Sequence, residues 1–351
     1  MRILVMGGGV FLGAAIVDSA LARGHAVTVF NRGRSRSAWP DGVEAIVGDR
    51  GSDLGLLAGR RFDAVIDTSG YVPAEMRAST AALASCDRYC FVSSISAYAS
   101  FAHGPVRESD ALAASDGIAE DDTDRARHYG PQKAACERVV AAAFGERALI
   151  VRPGLIVGPG DRTGRFSYWP WRALAGGEIL VPDVSGDEPI QLIDVRDLAD
   201  WIVRAVEANA SGAFNATGPQ DGHACGWAEV LEACIDAARR RGGSPLRFVP
   251  VAEAYLIEQG VAPWNELPLW VPSTDSEHLG FARVDCSRAV AAGLTTRPLA
   301  ETVDAVLDEF ASLVDDDPRR RGKLTPERER ELIARWRERA KSSDADGRAP
   351  P

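Results

Sequence analysis

Tyr129 and Lys133 stand four residues apart in His128-Tyr129-Gly130-Pro131-Gln132-Lys133, which opens a stretch that reads as a helix to Phe144. A spacing of four puts both side chains on one helix face, within reach of each other. A free phenol titrates near pH ~10 and is a poor acid or base at neutrality. A neighbouring ammonium favours the phenolate and brings proton transfer into range. The chemistry on offer is proton exchange with a substrate oxygen. Tyr-x-x-x-Lys also occurs by chance as a solvated surface pair, so the elements around this helix must decide.

The N-terminus supplies the first of them. Arg2-Ile3-Leu4-Val5-Met6 is an apolar run too short for a helix, and Gly7-Gly8-Gly9-Val10-Phe11-Leu12-Gly13 follows at once. Ala14 to Arg23 has helical periodicity and stops at Gly24; His25 to Phe30 reads as a second strand. Strand, glycine turn, helix and strand in this order form a dinucleotide-binding context. Glycines admit the pyrophosphate, and the helix N-terminus offers N–H groups and partial positive charge. A tight turn that binds nothing is the plainer alternative.

A βα rhythm continues with strands expected at 43–47, 62–67, 88–93 and 148–151, and a helix at 73–85. This predicts an α/β fold, a doubly wound parallel sheet of Rossmann type covered on both faces. The long segment 99–127 is expected to be a flap beside the active site. Its acidic run Glu120-Asp121-Asp122 reads as a solvated face. After Val151 aromatics and prolines gather at 166–171 and 263–270, which suits a smaller, partly interleaved C-terminal substrate domain; core filling is the better reading for any single tryptophan. The expected division is a dinucleotide-binding domain at 1–155 to which 190–217 returns, and a substrate domain at 156–189 and 218–315. A charged helix (Thr325 to Lys341, with Thr325 as N-cap) and a disordered tail from Ser342 fill 316–351.

The 351 residues suffice for one large or two modest domains, and a formal net charge of −10 argues against a general nucleic-acid binder. Cys86, Cys90, Cys136, Cys225, Cys234 and Cys286 form no Cys-x-x-Cys pair and no zinc spacing. Reduced packing thiols, no metal and a cytoplasmic location are expected, with no signal peptide and no membrane span.

Several motifs in register carry a resemblance. Phe91-Val92-Ser93-Ser94-Ile95-Ser96-Ala97-Tyr98, Tyr129-Gly130-Pro131-Gln132-Lys133, Arg152 to Gly160, Ile193 to Ala199 and Gly212 to Asn215 resemble, in that order, those of the extended short-chain dehydrogenase/reductase superfamily, the NAD-dependent epimerase/dehydratase family. The resemblance runs from Met1 to about Leu307. It implies an NAD(P)-dependent oxidoreductase in which Ser94, Tyr129 and Lys133 are catalytic. Ser94 would bond the substrate oxygen, Tyr129 exchange its proton, and Lys133 hold the nicotinamide ribose. Ser93 is the nearest rival to Ser94, and Tyr98 a possible packing ring. Cofactor contacts implied by the resemblance come from Gly7, Gly9, Phe11, Leu12, Gly13, Asn31, Arg32, Asp49, Arg50, Lys133 and Pro153.

The departures from the family's pattern are as informative. The usual Gly-x-x-Gly-x-x-Gly has Val10 at its middle position. The end of strand two, Phe30-Asn31-Arg32-Gly33-Arg34-Ser35-Arg36, lacks the carboxylate that receives the ribose of NAD. Its arginines suit a 2′-phosphate, so NADP is preferred over NAD, with Arg32 the foremost contact. Leu155, Val157 and Ile190 stand where sugar-nucleotide enzymes tend to carry Asn, Tyr and Arg. That favours net reduction or oxidation of a small-molecule carbonyl or alcohol over a nucleoside-diphosphate-sugar epimerase or dehydratase with recycled NAD. A non-catalytic dinucleotide sensor or RNA-associated relative is the remaining class. No nucleic-acid or membrane partner is expected, and the family implies a homodimer.

Overall fold

The computed structural model describes residues 1–36, 38–218, 225–313 and 324–345. The chain forms two compact units. The first comprises Met1–Ile156, Gln191–Ala224 and Leu279–Thr296; the second comprises Val157–Ile190, Cys225–His278 and Arg297–Pro351.

The first unit is built on seven strands: β1 (Arg2–Met6), β2 (Ala26–Asn31), β3 (Val43–Val47), β4 (Ala64–Asp67), β5 (Arg88–Val92), β6 (Ala148–Pro153) and the strand Gly212–Ala216. Beginning with Gly212–Ala216, the sheet order runs β6, β5, β4, β1, β2, β3, and every neighbouring pair is parallel. The alternation of side chains along each strand sorts them onto two faces. Ile3, Val5, Ile66 and Cys90 pack against Ile16 and Val17 of helix α1 (Phe11–Ala22). Leu4, Met6, Val65 and Phe91 face the other way, against Met76 of α2 (Pro73–Ala82) and Cys136 and Val140 of α3 (Arg125–Phe144). Both faces of the central strands β1, β4, β5 and β6 are buried, as a parallel sheet covered by helices requires, while the edge strand β3 stays partly exposed. Emptying one such position, Leu4→Ala, would cost about 2–5 kcal/mol.

Leu279–Thr296 packs within this unit, although its sequence reads as part of the substrate domain. Val106 bridges Val284 in parallel, and Gln191 exchanges hydrogen bonds with the Val284 backbone, so the segment is tied down by pairing that sequence periodicity does not reveal. Residues 115–120 lie on the outer side of α2 and α3. There Arg77 pairs with Glu120, Arg138 donates to Ser115 Oγ, and Ala74 N–H donates to the Glu120 carbonyl.

In the second unit Gly177–Pro182 pairs in parallel with Leu246–Val251, beside the helices Tyr168–Ala175, Trp227–Arg240, Leu299–Ser312 and Pro326–Ala345. Trp169 and Trp270 are fully buried, and the Trp169 indole donates to the Pro268 carbonyl at 3.0 Å. Core filling is therefore their role here. The C-terminal charged helix is no free arm. Leu332 and Ile333 are buried, and the buried Glu329 accepts from Arg172 and from the Leu180 N–H. This helix runs past Lys341 to Ala345, and the remainder of the predicted tail lies outside the described residues.

Candidate active site

In a parallel sheet the loops leaving the strands' carboxyl ends converge, and the predicted site residues lie on those loops and on the helices that follow. After β1 the chain turns through Gly7 (φ 105°) and Gly8 (φ 75°), a backbone region that disfavours side chains. A Cβ on Gly13 would lie 2.7 Å from the Gly8 nitrogen, so that glycine lets α1 press against the turn. Gly9 differs: among the described residues its Cβ would meet only Ser35 Cβ, at 3.4 Å. Local packing leaves that space open. Val10 is the N-cap of α1, in extended backbone (φ −148°) and 37% exposed; no side chain caps this helix, and its first turn has no acidic residue. Among the described residues the N–H groups of Phe11, Leu12 and Gly13 therefore lack side-chain acceptors, and the turn fits a diphosphate. Phe11 has a positive φ of 44°, and the Leu12 side chain belongs to the core.

At the end of β2, Asn31 Nδ2 donates to the Gly7 carbonyl and Asn31 Oδ1 accepts from the Gly33 N–H, both at 2.8 Å. That clamps the arginine loop to the glycine turn. Arg32 and Arg34 are exposed and have no acidic partner among the described residues, whereas Arg36 donates to the Ala38 carbonyl and stacks on Trp39. Asp49 accepts from the Gly51 N–H. The Arg50 guanidinium turns inward instead: it donates to Asp67 at 2.9 and 3.1 Å, and to Ser69 and Ser79. Burial alone would push the Asp67 carboxyl up, but Arg50, the Ser69 N–H and the Tyr89 hydroxyl outweigh it and hold it below its usual range. The Arg50 side chain thus braces the interior. Pro153 closes β6, buried beside Ala216.

Lys133 is 2% exposed. Its Nζ donates to the carbonyls of Gly70 (2.8 Å) and Val92 (2.9 Å), and sits 4.4 Å from the Tyr71 ring centroid and 4.8 Å from that of Phe91. Burial draws its pKa down to about 8. The Tyr129 ring centroid is 6.0 Å from Nζ and 6.3 Å from Tyr71. Chance surface pairs are not built this way.

Ser94 follows β5 and caps a short 3-10 turn; its Oγ accepts from the Ser96 N–H at 3.1 Å. Gly130 brings that turn and α3 together, since a Cβ there would fall 2.2 Å from the Ser96 carbonyl oxygen. The backbone beside Tyr129 is thus in contact with the Ser94–Ser96 turn. Ser93, the rival, is 3% exposed and donates to Glu137 Oε1 at 2.5 Å. Tyr98 donates to Asn215 Oδ1 and accepts from Arg152, so it braces the interior.

Sequence reasoning missed three contributors. Tyr71 covers Lys133; Gly130 permits the close approach; Glu137 anchors α3 from below. Glu137 pairs with Arg152 at 2.7 Å, both nearly inaccessible, and joins α3 to β5 through Ser93 and to β6 through Arg152. The available signal was Tyr129-x-x-x-Lys133-x-x-x-Glu137, a third polar residue on the buried helix face. Leu155, Val157 and Ile190 are each buried and apolar. Among the described residues no His, Cys, Asp and Glu group could hold a metal ion, all six cysteines are free, and no helix is long and apolar enough to cross a membrane.

Residues 3–217 match the NAD dependent epimerase/dehydratase family. The chain is 32% identical over 193 residues to 2′-dehydrokanamycin reductase of Streptomyces kanamyceticus, a match spanning 52% of each chain. It is 28% identical over 235 residues to the chloroplast stem-loop binding protein of 41 kDa b of Arabidopsis thaliana, covering 62% of this chain and 58% of that one. The chain thus spans little more than half the length of either relative. A UDP-glucose 4-epimerase of Thermus thermophilus in complex with NAD shares the fold with a TM-score of 0.59 at 20% identity, over 90% of this chain and 100% of that one. The chain belongs to the NAD-dependent epimerase/dehydratase family.

Proposed function

We propose that this chain is an NADP-preferring oxidoreductase acting on the carbonyl or alcohol carbon of a small molecule, with Tyr129 as general acid/base. The observation that carries this reading is the Lys133 cage beside Tyr129. An ammonium has three N–H donors, and Gly70 and Val92 accept two of them, which leaves one for a ribose hydroxyl. With Nζ 6.0 Å from the centroid of the Tyr129 ring, the ammonium charge favours the phenolate. Tyr129 then gives a proton to, or takes one from, the substrate oxygen, and the Ser94 hydroxyl steadies that oxygen.

Gly9, the uncapped N-terminus of α1, Asn31 and Arg32 would hold the dinucleotide, together with Phe11, Leu12, Gly13, the Asp49–Arg50 backbone and Pro153. When bound, it supplies or accepts the hydride. Arg32 and Arg34, which have no acidic partner among the described residues, support a 2′-phosphate, hence NADP. The 2′-dehydrokanamycin reductase relative supports net reduction over a closed NAD cycle, as do the apolar side chains of Leu155, Val157 and Ile190. The stem-loop-binding relative favours a second reading, RNA association without turnover; an acidic chain that keeps Ser94, Tyr129 and Lys133 argues against it. The test is to supply NADPH or NADH with a panel of carbonyl compounds. NADPH should be consumed in preference, and Arg32→Ala should raise the KM for NADPH on the order of tenfold while sparing NADH. Equal use of both cofactors, unchanged by Arg32→Ala, defeats the NADP preference; consumption of neither defeats the reductase reading.

A further inference from the structure

Arg125, Tyr129, Lys133 and Glu137 recur at every fourth residue along α3. Lys133 and Glu137 are held by the contacts described above, and Tyr129 is the proposed acid/base. Arg125 is unaccounted for. It is exposed, it begins the helix, and among the described residues no carboxylate pairs with it. Arg127, two residues on, acts on Asp122. The Arg125 guanidinium carbon lies 3.8 Å from the centroid of the Tyr71 ring. That ring also covers Lys133, at 4.4 Å, and neighbours the Tyr129 ring, at 6.3 Å. One aromatic ring therefore separates an unneutralised guanidinium from both members of the proposed proton-transfer pair.

We propose that Arg125 determines specificity by receiving a carboxylate of the substrate, so that the substrate class is oxo acids or the corresponding hydroxy acids. Stacking on Tyr71 occupies the face of the guanidinium. Its five N–H donors lie in the plane, at the edge, where a carboxylate is met by two parallel hydrogen bonds. The stack also restrains a long side chain beforehand, so less freedom is lost on binding. A substrate anchored at Arg125 is guided toward Tyr129, one helical turn further along the same face. The inference rests on the reductase reading and adds to it the chemical class of the substrate.

The test pairs 5-oxohexanoate with its methyl ester, which carry the same ketone with and without the charge. NADPH-dependent kcat/KM is measured for wild type, Arg125→Gln and Arg125→Lys, and binding of both compounds to the NADP-loaded protein is measured by calorimetry. Wild type should prefer the acid on the order of tenfold, chiefly through KM. Arg125→Gln should erase the preference, and Arg125→Lys should restore part of it. A stack with only a structural role would lower the melting temperature of Arg125→Gln and leave the acid-to-ester ratio unchanged, which would overturn the proposal. Turnover of both compounds without preference overturns the role of Arg125 and leaves the reductase reading standing. If neither is reduced, that reading fails and calorimetry decides: tighter, Arg125-dependent binding of the acid upholds the anion site, and its absence rejects it.

Discussion

Replacing Lys133 by Met keeps the length of the side chain and removes its charge, which isolates what the buried ammonium costs. Burial brings the Lys133 pKa down from 10.5 to about 8. A base whose pKa is lowered on folding is penalised in its protonated form. The penalty is fully present below pH 8 and is relieved as the pH rises toward 10.5, because in that window the unfolded chain holds the proton and the native one does not. The 2.5-unit difference corresponds to about 3 kcal/mol. At neutral pH that relief offsets the two hydrogen bonds lost to Gly70 and Val92, each contributing about 1 kcal/mol, so the variant should be nearly as stable as wild type. From pH 7 to about 10, wild type should pull ahead of Lys133→Met by roughly 2–3 kcal/mol. Asp67, Glu137, Arg50 and Cys136 act on Lys133 and remain in both proteins, so their titrations largely cancel in the difference, and making the comparison in a Tyr129→Phe background removes the titration of the phenol beside Nζ. Urea unfolding of both proteins across that range measures it. A stability difference that stays flat or narrows as the pH rises refutes the buried-cation argument. Activity should run the opposite way, with wild-type kcat/KM falling above about pH 8 as Lys133 loses its proton.

Further consequences concern the supports of α3. Glu137→Gln leaves Arg152 buried without its counter-charge and should cost about 3 kcal/mol, a fall in melting temperature of roughly 10 °C for a domain of this size. Adding Arg152→Met to it should cost less than the sum of the two single changes, as a double-mutant cycle by calorimetry reads. Gly130→Ala would add a Cβ 2.2 Å from the Ser96 carbonyl oxygen. Alanine stabilises an open helix interior by about 0.5–1 kcal/mol over glycine, but here it should destabilise and lower kcat by more than tenfold, because α3 is pushed off the Ser94 turn.

The sheet was legible because its strands are short apolar runs punctuated by glycine, and residues 43–47 form a strand as their pattern predicts. Tyr129 and Lys133 were legible because helix spacing is local. Their setting was not. Gly70 and Tyr71 reach Lys133 across more than sixty residues of sequence, a proximity that only the assembled sheet creates. Ser93 and Ser94 are chemically identical in sequence, and the pleat that turns Ser93 toward Glu137 distinguishes them. The inward turn of Arg50 was hidden for the same reason: its partner Asp67 lies seventeen residues on, on the neighbouring part of the fold rather than in its local sequence. In the C-terminal helix the density of charge hid a buried seam at Glu329, Leu332 and Ile333.

On the proposed mechanism Tyr129 moves the proton that accompanies hydride transfer. Single-turnover oxidation of NADPH with an accepted carbonyl substrate, followed for wild type and Tyr129→Phe beside a calorimetric measurement of NADPH binding, addresses it directly. Tyr129→Phe should lower the rate by about 10²–10⁴ with cofactor affinity unchanged. A Tyr129→Phe rate within a few-fold of wild type would contradict it.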